Sequence, residues 1–330
     1  MSAGPGLTAT TYDRIAACLQ GIAIGDAVGK QTENLSHDDI RRWYPDGVRG
    51  FEGTLGSPIP RYSGNRRREW LVGETTDDTE RTLAVARAIV SDGTVRHTTV
   101  GRELLTCRKS AHPGVKSLWE FHEAADPTRV TTRHDGCGAA IRVAPVGILL
   151  RSERLDEIVV AAREASISTH GGPWAIAAAA ATAAAVSAAV DGMTAPEILL
   201  LAERAATIGG GEDGASAGVT FAGQVRIIYQ DLLRQKEPAP SEMAARYFPN
   251  SPLTIVPLAL ALATALESAE AAILVAANIG GDSDSVASIA GGILGARAPR
   301  TVNQQWLAAV EAINDHRFES VAATLTPLRR

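Results

Sequence analysis

Aromatic residues make up only 5% of this 330-residue chain, and cysteine occurs three times, at Cys18, Cys107 and Cys137. An odd count at wide spacing gives neither a disulfide framework nor a zinc motif, and it fits a reducing compartment, hence the cytoplasm. Charge of one sign is also lacking. The 32 basic residues are balanced by 37 acidic ones, a net charge of −5 with no basic stripe. That argues against general nucleic-acid binding, although capture of one modified base stays open. The N-terminus, MSAGPGLTATTYDR, lacks a basic start followed by an apolar run, so no signal peptide is expected and residues 1–11 read as a disordered leader. Long apolar runs are few. Trp174–Val190 is mostly alanine, and Leu253–Leu266 is shorter than the roughly 20 residues a bilayer needs. Both read as buried helices of a protein with no membrane contact. No strand-like alternation and no fixed-period repeat is present.

What the chain has is alanine, glycine and helical punctuation. With 45% hydrophobic residues it can bury a sizeable core. Helices are predicted over residues 12–29, 37–44, 77–91, 100–107, 115–125, 139–150, 156–166, 174–190, 196–208, 221–235, 252–268, 270–279, 284–298 and 302–315, with a helical tail to about residue 323. Residues 47–73 read as a long polar loop, residues 126–138 as a second loop, Gly209–Gly214 as a glycine-rich break and Lys236–Pro240 as a turn. No linker divides the chain, so one all-α domain is expected over residues 12–330. Trp119, Trp174 and Trp306 are expected in its core, and the arginine run Arg66–Arg68 in solvent.

Two short acidic motifs stand at helix starts far apart in the chain, Thr75-Thr76-Asp77-Asp78-Thr79-Glu80 and Gly280-Gly281-Asp282-Ser283-Asp284-Ser285. Each alone could be helix capping, since threonine caps free backbone N–H groups and first-turn carboxylates suit the positive helix end. Capping needs one acceptor, however, whereas adjacent carboxylates repel. Four carboxylates and several hydroxyls are an oxygen set that suits magnesium, manganese or calcium better than zinc or copper. The two helix starts are therefore expected to meet around a hard cation. Gly21-Ile22-Ala23-Ile24-Gly25-Asp26-Ala27-Val28-Gly29 reads by itself as a helix packed through small residues, with Asp26 in structural hydrogen bonds; Glu33 follows it.

Taken together these stretches resemble the ADP-ribosylglycohydrolase family, which includes the dinitrogenase-reductase-activating glycohydrolase and the poly(ADP-ribose) and serine-ADP-ribose hydrolases. Gly25–Gly29 is similar to the first family motif and Thr76–Thr79 to the second. Gly136-Cys137-Gly138-Ala139-Ala140-Ile141-Arg142-Val143-Ala144-Pro145 is similar to the third, Thr169–Pro173 to the fourth and Gly280–Ser285 to the fifth. The five stand in family order and span nearly the whole chain. The resemblance implies an all-α fold and two magnesium ions, with manganese as an alternative, held by Thr76, Asp77, Asp78, Asp282, Asp284 and Ser285. It implies Glu33 as catalytic acid/base or gate, and Gly136, Cys137, Gly138 and His170 in the ADP-ribose pocket. The expected reaction is release of ADP-ribose from a modified protein or small ADP-ribosyl acceptor, by a monomer. Alternatives are hydrolysis of another ribosyl or nucleotide-sugar compound, and non-catalytic ADP-ribose binding.

One departure stands out. The third motif usually carries asparagine between its glycines, often with aspartate three residues earlier; Cys137 and His134 occupy those positions here. Cys137 reads either as a small buried residue or as a thiol activated beside His134 and Asp135, a route to cysteine catalysis without metal.

Overall fold

The computed structural model describes residues 9–109, 111–211, 221–235 and 239–330. These form one all-helical domain; among them there is no strand, and Pro58 and Leu71 make one isolated bridge. In chain order the helices are α1 (Thr11–Gly29), α2 (His37–Trp43), α3 (Asp77–Asp92), α4 (His97–Leu104), α5 (Lys116–Ala124), α6 (Ala144–Leu149), α7 (Leu155–Ser166), α8 (Pro173–Val190), α9 (Ala195–Gly210), α10 (Phe221–Arg234), α11 (Pro240–Tyr247), α12 (Pro252–Ala265), α13 (Ala269–Ile279), α14 (Ser283–Arg297), α15 (Gln304–Ile313) and α16 (Phe318–Leu325).

The first and fourteenth helices, α1 and α14, form the central pair and run antiparallel. Their contact is backbone on backbone. A Cβ added at Gly21 would lie 2.2 Å from the Gly291 carbonyl oxygen, one at Gly25 2.1 Å from that of Ala287, and one at Gly29 2.5 Å from Asp284 Cα. Gly295 meets Ala17 in the same way on the return face. Glycines four apart thus carve a groove along α1 that only a small-residue helix can enter. Register follows from that groove: the last turn of α1 faces the first turn of α14.

Helix α8 fills the interior beside this pair. It is long and apolar enough to cross a bilayer, yet 89% of it is buried inside the protein, where its alanines let α7, α9, α6 and α12 approach closely. Helices α1, α8, α12 and α14 are buried on nearly every side and show no apolar stripe. The peripheral helices α7, α9 and α10 carry the usual amphipathic pattern.

Several boundaries differ from the sequence expectation for identifiable reasons. The helix expected over residues 139–150 is a 3-10 turn, Cys137–Arg142, followed by α6. Pro145 lacks an N–H and disfavours α geometry in the residue before it, so one continuous helix cannot pass. Helix α11 was not predicted; its only buried residue is Met243, which leaves almost no periodic signal. Trp119, Trp174 and Trp306 are half-buried rather than core. Of the expected leader, residues 1–8 lie outside the described residues, and Thr10 already closes a capping box with Asp13 at the start of α1. Of the expected break and turn, residues 212–214 and 236–238 also lie outside the described residues.

Candidate metal centre

The two acidic helix starts meet at the C-terminal end of α1. Asp26, fully buried in that helix, accepts from Thr76 N at 2.9 and 2.8 Å, from Thr79 N at 3.1 Å and from Thr79 Oγ1 at 2.5 Å. The first turn of α3 is therefore capped by a carboxylate from another helix as well as by its own Thr76. Burial raises the Asp26 pKa, while the donors Thr79 and Thr76 pull it back. The structural role expected for Asp26 is thus what it performs. The start of α14 is tied to the same end of α1: Ser283 Oγ donates to Gly29 O at 2.9 Å, and Thr32 Oγ1 lies 3.1 Å from Ser283 Oγ.

Glycine shapes the approach to α14. Gly280 and Gly281 both have left-handed backbone, φ +89° and +65°, and a Cβ on either would strike a carbonyl, Leu35 O at 2.2 Å or Pro249 O at 2.4 Å. Those same segments hold the loop by hydrogen bonds, Gly281 N to Leu35 O at 2.9 Å and Asp282 N to Pro249 O at 2.8 Å.

Asp77, Asp78, Asp282 and Asp284 are brought into one electrostatic neighbourhood. Burial, then Asp26, Asp77 and Asp282, hold the Asp78 carboxyl well above the usual range. Burial, then Glu33, raise Asp284 in the same way, opposed by Lys30. Asp77 is paired with the buried Arg81 guanidinium at 2.6 Å. Asp78 is 3% exposed, and its Oδ2 has no hydrogen-bond donor. A buried carboxylate oxygen without a donor is costly unless a cation completes it. The oxygens on offer come from carboxylates plus the hydroxyls of Thr76 and Ser285, so the residues fit a hard divalent ion. Among the described residues no group of three or more histidine, cysteine, aspartate or glutamate side chains is arranged to hold a metal as it stands. A bound cation would have to draw these like charges inward.

Glu33 lies at the rim. It accepts from the Lys30 ammonium and, at 3.1 Å, from the Tyr62 hydroxyl. Lys30 is itself 4% exposed and lies 3.7 Å from Asp284 Oδ2. Neither Lys30 nor Tyr62 was foreseen. The long polar loop that carries Tyr62 is organised around its own small core of Ile59, Trp70 and Val72, and Trp70 lies under the Lys30 ammonium at 4.4 Å. The apolar residues of that loop were the available signal, but they show no period.

Cys137 faces the carboxylate cluster. Its Sγ is 3.1 Å from Asp282 Oδ2 and 3.9 Å from Ser285 Oγ. Burial, then the Asp282 charge and hydrogen bond, push the thiol well above its ordinary pKa. His134 pairs instead with Glu120 at 3.2 Å, and Asp135 caps the start of α8 through Trp174 N at 2.9 Å. The Cys137, His134 and Asp135 side chains therefore point to three different partners, and the structure does not bring them together. His170, 4% exposed, supports the Gly136–Gly138 turn from beneath: a Cβ on Gly138 would lie 2.7 Å from its ring. Both ring nitrogens are engaged, with Thr169 Oγ1 at 2.8 Å and Ser117 Oγ at 3.1 Å. Burial, then the Arg142 and Arg81 charges, hold His170 neutral by lowering its pKa.

This bundle has a solved counterpart: it matches a structure described as an "ADP-ribosylglycohydrolase-related protein complex" with a TM-score of 0.71 and 23% identity, over 97% of this chain and 99% of that one. The class is thus an all-helical domain that shares the fold of that structure. The chain belongs to the ADP-ribosylglycohydrolase family, whose profile matches residues 7–330. It is 29% identical, over 93% of both chains, to an uncharacterized protein of Archaeoglobus fulgidus. It is 26% identical to the uncharacterized protein YegU of Escherichia coli K12, over 96% of this chain and 98% of YegU. To the ADP-ribosyl-[dinitrogen reductase] glycohydrolase of Rhodospirillum rubrum it is 25% identical over 145 residues, 42% of this chain and 45% of that protein.

Proposed function

We propose that this protein hydrolyses an ADP-ribosyl glycosidic bond with the help of divalent cations, releasing ADP-ribose from a modified protein or a small ADP-ribosyl compound, as a cytoplasmic monomer. The observation that carries the reading is the donorless, buried Asp78 Oδ2 at the junction of two acidic helix starts. Thr76, Asp77 and Asp78 on one side, and Asp282, Asp284 and Ser285 on the other, would hold up to two magnesium or manganese ions. Such ions would supply a template that orients the ribose hydroxyls beside the scissile bond.

The chain's own groups do the rest. Glu33, oriented by Lys30 and Tyr62, takes a proton from the attacking water or returns one to the leaving group. Asp26 ties the α3 start to the end of α1, while Ser283 ties the α14 start there through Gly29 O. The Gly136–Gly138 turn, braced by His170 and by Arg142 Nη1 on Gly138 O at 2.9 Å, offers a bare backbone surface for the sugar beside the cluster. Binding of the distant nucleotide portion is energy available for orienting the scissile bond.

The deciding assay is mass spectrometry of ADP-ribose released from arginine-, serine- and base-linked ADP-ribosyl substrates, with magnesium and with chelator. Metal-dependent release from one linkage is the expected result and names the leaving group. No release from any of them, with ADP-ribose still bound, would favour a binding protein or another ribosyl substrate; Cys137 in the third motif is the observation that favours the latter.

A further inference from the structure

Cys137 brings a sulfur atom to a set of oxygen donors. Cys18 and Cys107 are buried in the core, and Cys137 alone among the three cysteines is only half-buried. It opens the 3-10 turn Cys137–Arg142, and that turn is clamped from behind. The fully buried Arg142 donates to Gly138 O at 2.9 Å, to Ser166 O at 3.0 Å and to Thr169 Oγ1 at 2.8 Å. Across from it, Asp282 is fixed through its backbone N–H to Pro249 O at 2.8 Å. Two separately anchored segments thus hold Cys137 Sγ 3.1 Å from Asp282 Oδ2 and 3.9 Å from Ser285 Oγ.

A thiol that donates to a carboxylate is by itself an ordinary hydrogen bond and needs no metal. Asp78 supplies the second observation. It is 3% exposed, and its Oδ2 has no donor. Asp78 is among the charges that act on Cys137, and Asp282 is among those that act on Asp78. A buried carboxylate oxygen without a donor calls for a cation, and here it does so beside the sulfur. The spacing agrees. With metal–sulfur and metal–oxygen bonds of about 2.3 and about 2.1 Å, two ligands at right angles on one ion lie about 3.1 Å apart. The two atoms that share a proton, Cys137 Sγ and Asp282 Oδ2, are thus spaced to share a metal ion. His170 adds no nitrogen to this face, because both of its ring nitrogens are engaged.

We propose that Cys137 Sγ is a further ligand of the metal centre and gives it a preference for thiophilic divalent ions such as Zn2+, Co2+ or Cd2+. The inference rests on the metal-centre reading above and deepens it. On coordination the S–H bond breaks, a sulfur electron pair forms the bond to the metal and the proton leaves to water; nothing is oxidised or reduced. Hard ions use the carboxylates and hydroxyls and gain little from sulfur, whereas soft ions gain much. Magnesium-supported turnover is then independent of the thiol, and a thiophilic ion displaces magnesium.

The test uses the full chain freed of metal, as wild type and as Cys137→Ser. Co2+ is followed by absorption, and Cd2+ and Mn2+ by calorimetry. Wild type is expected to develop the near-ultraviolet sulfur-to-cobalt charge-transfer band. Cys137→Ser is expected to lose that band and to bind Cd2+ about tenfold or more weakly, while its Mn2+ affinity stays within about threefold of wild type. Co2+ bound by the wild type without the band would overturn the inference with no variant needed. So would a band or a Cd2+ affinity unchanged in Cys137→Ser, and so would equal weakening of Cd2+ and Mn2+, which would leave no preference to explain. Binding of none of the three ions by the wild type would overturn the metal-centre reading itself, a different and distinguishable failure.

Discussion

Asp78 concentrates the conflict between stability and function in this molecule. Its carboxylate is buried close to Asp26, Asp77 and Asp282, with one oxygen lacking a donor. Asp78→Asn removes a charge from that repulsive group. In chelator it is expected to stabilise the protein by about 1 kcal/mol, measured by urea unfolding, while abolishing the thermal shift caused by added Mg2+ or Mn2+. A metal-induced shift as large as that of the wild type would remove Asp78 from the ligand set. Cys137 lies against Asp282 with its thiol held protonated, so it is expected to be a poor nucleophile. Iodoacetamide should label it slowly in the native protein, and Cys137→Ser should keep turnover within about threefold of wild type; rapid labelling with loss of activity would reinstate cysteine chemistry. His316 sits against Thr75 Oγ1 at 2.8 Å, and burial, then Lys109, lower its pKa to about 4 from an ordinary 6.5. Unfolded chains then take up this proton before folded ones do. Its contribution is complete above pH 6.5 and is lost as pH falls toward 4. Melting curves over that window should show a shallower acid-side slope for His316→Gln than for wild type.

At the scale of elements, the contact of α1 with α14 controls both packing and site. Gly25 has the Ala287 carbonyl where a Cβ would be, at 2.1 Å, and nothing flexible stands between the two backbones. Gly25→Ala must push the helices apart. A loss of roughly 3 kcal/mol or more is expected in urea unfolding. The same displacement carries Asp284 away from Asp78, so metal affinity should fall even where the variant folds; wild-type stability in Gly25→Ala would contradict the close approach. The arrangement also explains why these helices were legible as helices but not as amphipathic ones. Buried on all sides, α8 and α12 carry no polar face, and their alanine and leucine content speaks of helix-on-helix contact rather than of a surface.

For the whole molecule, a cation at the cluster, if the proposed site binds one, would tie α3 and α14 together across most of the chain. Ligand linkage then predicts a raised melting temperature with metal, worth about 2.7 kcal/mol at a hundredfold excess over the dissociation constant. Scanning calorimetry with Mg2+ and then chelator tests this; a melting temperature indifferent to both would mean the carboxylates are not a metal site. Much of this architecture was readable from the chain. The all-α class, the lengths of α1, α3, α8 and α14, and the chemistry of the two acidic motifs all follow from local pattern: helix formers, caps, and carboxylates where one acceptor would suffice. Short elements with little periodic signal were not, as α11 and the 3-10 turn before Pro145 demonstrate. By itself the sequence determined which groups arrive at the site from the two helix starts, because backbone caps and charge spacing are local properties. Only the tertiary structure decided that Lys30, Tyr62 and Cys137 join them, that His134 and Asp135 do not, and that His170 is a support beneath the glycine turn. The reason is register: which side chains converge is set by how closely glycine lets α1 and α14 approach, and that distance belongs to the pair of helices and to neither sequence alone.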